Sequence, residues 1–530
     1  MRVHIHMKHL SIKVWLRIFL YAIFTSLLIQ LVVLPYFFQQ LHAGNGLLAG
    51  RDWVGFHEQA AVHAQQIASS GWEAFRLRPD GDNAIIGVTS FFYVIFGPHP
   101  WALLPLSAAM FATGGVALFS MLKRLNLDDS EAGIALLPYL FFPSALLQYG
   151  QIHKDVFCTA GVLVILWAWV GLLRKERKLS EVLPLLVVSA LALILVSVFR
   201  PYFMFPFLGL GMGLWAWHVL HVGWQLVSLK TRPNKEMHFS VLKFNFQSVA
   251  ILTVLVGFAY FMLNNYIDVN LRSIGVGDVQ GKSDDAQRGL VLPVFVFKSN
   301  ETVRSADTIR LFSAGSAGSA GSAGSSEARD AVLKMAILEA AAIKAVQECR
   351  PIVILRDDAF LENAINRIFL KIAVARAGFT SSGGTTVASN IDKGINFCKN
   401  EDLIHYVPRA MQIALFAPFP SKWFSTEKRN SSAVEIYISA VEMFYSYVAY
   451  IGLLYWLVSY RRWRIELLVP VAFALGLTLL LGLTVANVGT LYRMRFPFAM
   501  IFISLGMAGL MQMAKIRPRW LERLESNVDR

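Results

Sequence analysis

The chain has 530 residues, of which 55% are hydrophobic and only 16% charged, and its mean hydropathy is +0.51. So apolar a composition excludes a soluble globular domain and places the chain among polytopic membrane proteins. The net charge of +14 sits in connections between apolar stretches, which fits cytoplasmic anchoring and excludes the basic stripe of a nucleic-acid-binding domain.

A helix needs about 20 mostly apolar residues to cross the hydrocarbon core. Ten stretches qualify: 15–38, 100–122, 134–150, 156–173, 182–199, 202–228, 247–266, 433–459, 466–486 and 496–514. The first has no small-residue cleavage site and reads as a signal anchor. Pro201 separates the fifth from the sixth, because proline interrupts helices and restricts the residue before it. The apolar run 83–97 is too short to cross and reads as interfacial, re-entrant or packed inside the bundle.

Lys and Arg in the short connections set the orientation. One side collects 22, among them Lys123, Arg124, Arg174 and Arg461; the other collects seven. The positive side is cytoplasmic. Both termini are therefore expected in the cytoplasm of a multi-pass inner or plasma membrane protein.

The expected fold is all-α and polytopic, with about ten transmembrane helices. Residues 1–266 form a module of about seven spans, with a first outer loop over 39–99. Residues 267–432 form a large extracytoplasmic loop, and 433–530 form a module of three spans. In the first outer loop, Phe56, Ala60, Ala61, Ala64 and Ile67 make a weak apolar stripe at helical spacing. Residues 56–70 read as a helix lying at the interface, with Trp53 and Trp72 as belt aromatics. The large loop carries a Ser-Ala-Gly tract over 313–326, a tether that cannot form a core, followed by a helix-like stretch over 328–348. Cys349 and Cys398 share this loop on the oxidising side and are a candidate disulfide; unpaired thiols are the alternative.

Ionisable groups at membrane depth cost roughly 3 kcal/mol or more and persist mainly where they do chemistry or line a polar path. Two such signatures reach the outer face. The first is Arg51-Asp52-Trp53 with His57 and Glu58. Asp52 suits a helix N-cap, and a capped carboxylate can also serve as a general base, alone or metal-assisted. His57 and His63 are six apart, poor spacing for a metal pair on one helical face. The second signature is Gln151-Ile152-His153-Lys154-Asp155, where one span exits and the next begins. Snorkelling and capping are one account. The other is that Lys154 binds phosphate as a point charge and that Asp155 binds a metal or orients a proton acceptor. Arg200, Arg493 and Arg495, beside Tyr492, are further cations against the positive-inside trend. Together with Lys154 they suit a phosphate pocket better than headgroup anchoring.

On these residues the chain resembles the GT-C-type membrane glycosyltransferases, a superfamily that includes the protein mannosyltransferases and lipid A aminoarabinose transferases. The resemblance rests on Asp52 in the first outer loop, the interfacial helix over 56–70, and Phe96-Gly97 before the next span. It also rests on Asp155 opening a later span and on the basic residues of the later outer loops. It implies hexosyl or pentosyl transfer on the extracytoplasmic side, in cell-envelope glycan or exopolysaccharide assembly. The donor would be a polyprenyl-phosphate-linked sugar. The acceptor would be a glycan, lipid or protein at the membrane lipid surface. Asp52 would be the base, with Asp155 beside it. Lys154, Arg200, Arg493 and Arg495 would hold the donor phosphate. His57, Glu58 and Tyr492 would be accessory to the acceptor. A divalent cation between Asp52 and Asp155 stays open. No nucleotide cofactor is expected, since the chain has no Walker motif, Rossmann fingerprint or zinc cysteine cluster, and no nucleic-acid partner is expected. The usual acidic doublet is here Arg51-Asp52-Trp53, and a large insert precedes the last three spans. Phe416–Pro420 and the Arg-x-Arg before the last span also look like membrane proteins of exopolysaccharide and O-antigen clusters. A polysaccharide polymerase or ligase is the alternative reading, and a lipid-linked sugar transporter is a weaker one.

Overall fold

The computed structural model describes residues 2–49, 52–79, 83–172, 179–231, 295–299, 352–356, 399–423, 432–459 and 465–515, with scattered residues of 253–257 and 366–397. Arg51, the tract 313–326, the stretch 328–348, Cys349 and Cys398 lie outside the described residues, and so does the disulfide expectation.

The chain is a helical multi-pass membrane protein. Among the described residues, seven helical segments are long and apolar enough to cross a membrane: Ser11–Phe37, Pro100–Arg124, Asp155–Leu172, Glu181–Phe199, Ile436–Ser459, Leu467–Thr484 and Phe496–Ala514. A bent pair makes an eighth. Of the expected ten, seven or eight therefore stand among the described residues. The stretch 202–228 forms the helix Met204–Thr231, which is not one of the seven, and 247–266 lies outside the described residues apart from two isolated positions.

The chain divides into two compact units. The first comprises Met1–Gln280, Phe416–Thr478 and Arg493–Arg530. It begins with α1 (Arg2–Leu28), which continues as a π-helical stretch, Ile29–Phe37, containing Pro35. Proline cannot donate to the i−4 carbonyl, and a widened ladder is one way to accommodate it. Between the first two spans, α2 (Asp52–Ser70) packs on α3 (Ala84–Phe96). Helix α3 is a short apolar helix below spanning length. Trp72 is exposed, but Trp53 is only 1% exposed: its indole N–H donates to the carbonyl of Leu48, so it is an internal anchor and not a belt aromatic.

Next come α4 (Leu104–Arg124), α5 (Asp129–Phe141) and α6 (Pro143–Tyr149). A capping box starts α5: Glu131 N–H donates to Asp128 Oδ1 at 2.7 Å and Asp128 N–H to Glu131 Oε2 at 3.0 Å. The expected span 134–150 is broken between α5 and α6 by 68°. Pro143 forces Phe142 into extended backbone, and the buried Glu442 accepts the Ser144 N–H at 2.7 Å. Helix α7 (Asp155–Leu172) is the most enclosed, packed between α4 and α8 (Leu179–Phe199). Helix α9 (Met204–Thr231) follows a short turn after α8.

The later helices are α11 (Ser432–Ser459), α12 (Ile465–Thr484), α13 (Val488–Met494) and α14 (Phe496–Lys515); this unit takes them up to Thr478 and again from Arg493. Helices α11 and α14 meet backbone to backbone. A Cβ on Gly506 would stand 2.0 Å from the Ala449 carbonyl oxygen, and one on Gly509 would stand 1.9 Å from that of Gly452.

Polar side chains buried within spans include Ser26 and Gln30 of α1 and its extension, Ser189 of α8, Thr478 of α12 and Ser504 of α14. These are hydroxyls and one amide, with Glu442 as the buried carboxylate of α11.

The second unit comprises Gly281–Leu415 and Leu479–Tyr492. It holds the two strands found among the described residues, β1 (Phe295–Ser299) and β2 (Ile352–Arg356), paired in parallel with Phe295 opposite Ile352. This short pair is an addition to an otherwise helical chain: Ile352-Val353-Ile354 is a β-branched run too short for a helix. Helix α10 (Asn400–Phe416) carries Tyr406 and Arg409. The buried Arg376 donates to the carbonyls of Ile395 (3.0 Å), Leu483 and Asp392 (3.3 Å each) and to the Tyr406 hydroxyl (3.0 Å). It stacks on the rings of Phe397 and Tyr406. Asp392 accepts from Tyr406 and from both ends of the Arg409 fork. Every arm of this cluster has a partner, which marks it as a structural clasp.

Candidate active site

The functional side chains of the first unit come from helix ends that alternate along the chain. Asp52 opens α2, Asp155 opens α7, Arg200 follows α8, and Arg493 ends α13 just before α14. Both carboxylates occupy the first turn of a helix, where unsatisfied N–H groups and the macrodipole favour negative charge.

These residues converge. Arg200 donates through Nε to Asp155 Oδ1 at 2.9 Å, and its Nη2 makes a second, closer contact to the same oxygen. Both side chains are nearly enclosed, at 11% and 6% exposure. Arg493 lies 3.4 Å from Asp52 Oδ2 through Nη2 and 3.5 Å through Nη1. Here Arg493 is 14% exposed and Asp52 57%. Arg493 Nη1 also stands 3.4 Å from His153 Nε2, while His153 Nδ1 stands 3.2 Å from Asp155 Oδ2. Arginine carries only donors, so the Arg493 contact requires Nε2 as acceptor and the ring proton on Nδ1. With the proton on Nε2 instead, Nδ1 accepts the Asp155 backbone N–H at 3.2 Å, so the neutral ring serves either Arg493 or its own turn. Burial is the main cause that pushes the His153 imidazole down to about 4; Asp155 opposes the shift and Arg493 and Arg200 reinforce it. The ring is neutral at physiological pH.

Lys154 donates to the side-chain amide oxygen (Oδ1) of Asn83 at the start of α3 and lies over the Phe56 ring, 5.8 Å from its centroid. Phe56 is one turn beyond Asp52 and shares its face of α2. Burial, with Arg200 next, pushes the Lys154 ammonium down to about 8. Gln151 accepts the Leu48 N–H at 3.1 Å and donates to the Gly46 carbonyl at 3.4 Å. Gly46 is itself required: its φ is +77°, and a Cβ would stand 2.7 Å from Gln30. Gln30 donates to the Gly150 carbonyl at 2.8 Å. The turn Gly150–Asp155 therefore links α1, the loop before α2, α3, α8 and α13.

The two arginines differ in freedom. Arg200 is fastened to Asp155. Arg493 is held by three contacts at the long limit of hydrogen bonding, and its buried Nε has no partner. Among the described residues, counting neutral His153 as zero, three cations (Lys154, Arg200, Arg493) face two carboxylates, an excess of one positive charge that suits an anion.

The same count bears on a divalent cation between Asp52 and Asp155. Asp155 Oδ1 is taken by Arg200, Oδ2 is buried without a hydrogen-bond partner, and among the described residues no three His, Cys, Asp or Glu side chains converge.

Of the other expected residues, Arg495 is buried with Nη2 against Met443 of α11 at 2.8 Å. His57 Nδ1 lies 2.7 Å from the Tyr93 hydroxyl, and burial lowers the His57 pKa while Glu58 opposes it. Glu58 is exposed, and Tyr492 is half-buried beside Arg493 in sequence. His153 and Asn83 join the site without having stood out as site residues. His153 was visible only as part of the signature around Lys154-Asp155.

No family model, no curated protein and no solved structure matches the chain.

Proposed function

We propose that this cluster is the active site of a membrane glycosyltransferase that takes a sugar from a polyprenyl-phosphate-linked donor and passes it to an acceptor hydroxyl on the extracytoplasmic side. The observation that carries the reading is the pairing of a solvent-reaching carboxylate, Asp52, with a loosely held guanidinium, Arg493, in a setting with surplus positive charge. Glycosyl transfer from a lipid phosphate needs both: a base for the acceptor and a cation for the leaving phosphate.

Asp52 takes the acceptor hydroxyl proton through its open Oδ1 as the oxygen attacks the anomeric carbon. The bond from that carbon to the phosphate oxygen breaks, and its electron pair leaves with the lipid phosphate. Arg493 and Lys154 neutralise the charge that develops there. Asp155, fastened by Arg200, orients His153 and through it Arg493. The site side faces outward because the connections bearing it are poor in Lys and Arg.

The test is transfer of labelled sugar from lipid-phosphate donors in right-side-out and inverted vesicles. Activity confined to the outer face and lost in Asp52→Asn is the expected result. Transfer that persists in Asp52→Asn but vanishes in Arg493→Ala would move the assignment to a polymerase or ligase of lipid-linked repeats.

A further inference from the structure

We propose that His153 is a positioning residue, whose imidazole holds the Arg493 guanidinium against Asp52 so that donor phosphate and acceptor meet a preset pair. The inference rests on the glycosyl-transfer reading and adds to it a residue that acts through Arg493 and does not touch substrate.

The geometry is that of a chain of alternating partners. Arg200 fixes Asp155; Asp155 Oδ2 faces His153 Nδ1; His153 Nε2 accepts from Arg493; Arg493 reaches Asp52. Asp155 Oδ2 is buried 3.2 Å from Nδ1 and makes no hydrogen bond, so the carboxylate stands beside the ring and leaves its second nitrogen to Arg493. The ring is 3% exposed and stands 6.1 Å from the Trp53 ring, so it has little room to swing. Trp53 is the residue after Asp52, and its indole is anchored to Leu48. Both sides of the Asp52–Arg493 pair are thus referred to one imidazole.

The contact to His153 fixes the guanidinium in direction. Both contacts to Asp52 end on the same oxygen, Oδ2, and a guanidinium held by one atom can pivot about it. The third contact, to Nε2, stops that rotation. Only a neutral ring can make it. The charged groups facing the imidazole are Asp155 and Lys154 on its own turn, Arg493 from α13, Arg200 after α8 and Asp52 from α2. A second ring proton would remove the acceptor and set a cation among Lys154, Arg200 and Arg493.

The test is a double-mutant cycle read in kcat and KM for a polyprenyl-phosphate-linked hexose. His153→Phe keeps a ring beside Trp53 and removes both nitrogens. His153→Gln keeps an acceptor oxygen near the place of Nε2. Arg493→Ala removes the group acted upon. The expected result is a kcat/KM about 100-fold lower for His153→Phe, the scale of a small misplacement of a catalytic group, and substantial recovery in His153→Gln. In the Arg493→Ala background, His153→Phe should then cost less than about threefold, because coupled residues are not additive. Full additivity, or a Gln variant no better than Phe, would overturn the assignment. If His153→Phe does not fold, His153→Gln and His153→Asn in both Arg493 backgrounds run the same cycle. A wild-type protein that transfers nothing from any lipid-phosphate sugar would instead sink the glycosyl-transfer reading. The cycle is then read in thermal unfolding midpoints without substrate, where non-additive shifts keep the His153–Arg493 link and additive shifts remove it.

Discussion

Asp52 and Arg493 are 441 residues apart in the chain, yet Arg493 Nη2 lies 3.4 Å from Asp52 Oδ2. The first outer loop and the last short helix before the final span thereby share one ion pair. Asp52 is 57% exposed, so the pair itself adds little stability. Its value lies in where it puts the two charges.

Asp52→Asn should therefore leave the fold and its thermal midpoint nearly unchanged and lower transfer by about 100- to 10,000-fold, the range of a lost general base. Turnover in vesicles, with the unfolding midpoint as control, checks it.

Arg200 and Arg493 should behave differently when truncated. Arg200→Ala strands the buried carboxylate of Asp155, and breaking an enclosed pair costs about 3–5 kcal/mol. Arg493→Ala leaves a partner that water already reaches, so its loss should appear as a raised donor KM in a stable protein. Unfolding curves and donor titrations on both variants separate the two outcomes. Equal destabilisation would show that Arg493 is structural.

Lys154 gives the pH profile its alkaline side. Its ammonium is pushed down to about 8, so its charge is present below that pH and is lost as pH rises through it. Donor affinity should fall above about pH 8 in wild type. In Lys154→Arg, which stays charged, the fall should move to higher pH. A limb unmoved in that variant would assign it to another group.

His153 acts on stability in the opposite window. Its folded-state pKa, about 4, lies below the ordinary 6.5, so the unfolded chain binds the proton first as pH falls. Stability should drop between about pH 6.5 and pH 4. In His153→Gln that component should be absent, as unfolding midpoints across the range will reveal.

The contact between α11 and α14 predicts a purely structural defect. Gly506→Leu puts a side chain where even a Cβ would lie 2.0 Å from the Ala449 carbonyl. The helices must part, at a cost of at least the 1–3 kcal/mol typical of overpacking. Expression and detergent stability should fall, and a full-yield, wild-type-stable variant would contradict the packing.

The membrane class and the spans were legible because long apolar runs have no other use. Asp52, Lys154, Asp155, Arg200 and Arg493 were legible because charge at the outer end of a span is conspicuous. Arg495 looked the same in sequence as Arg493 but is buried against Met443; residues two apart on a helical path do not face the same way. His153 was hidden by its charged neighbours, since an uncharged imidazole between an arginine and a carboxylate leaves no mark on composition. Trp53 looked like a belt aromatic because spacing cannot tell an interface from an interior. The bend between α5 and α6 depended on a proline inside an otherwise unbroken apolar run. The β1–β2 pair joined segments more than 50 residues apart, which local pattern does not reach.

The turn from Gly150 to Asp155 assigns a different neighbour to each polar side chain: Gln151 to the loop at Gly46–Leu48, His153 to Arg493, Lys154 to Asn83 and Asp155 to Arg200. Its information is therefore in its length as much as in its letters. Replacing one of these residues severs one link. Adding or deleting a single residue would hand each side chain its neighbour's seat, with the imidazole toward Asn83 or the lysine toward Arg493, and would sever all four at once.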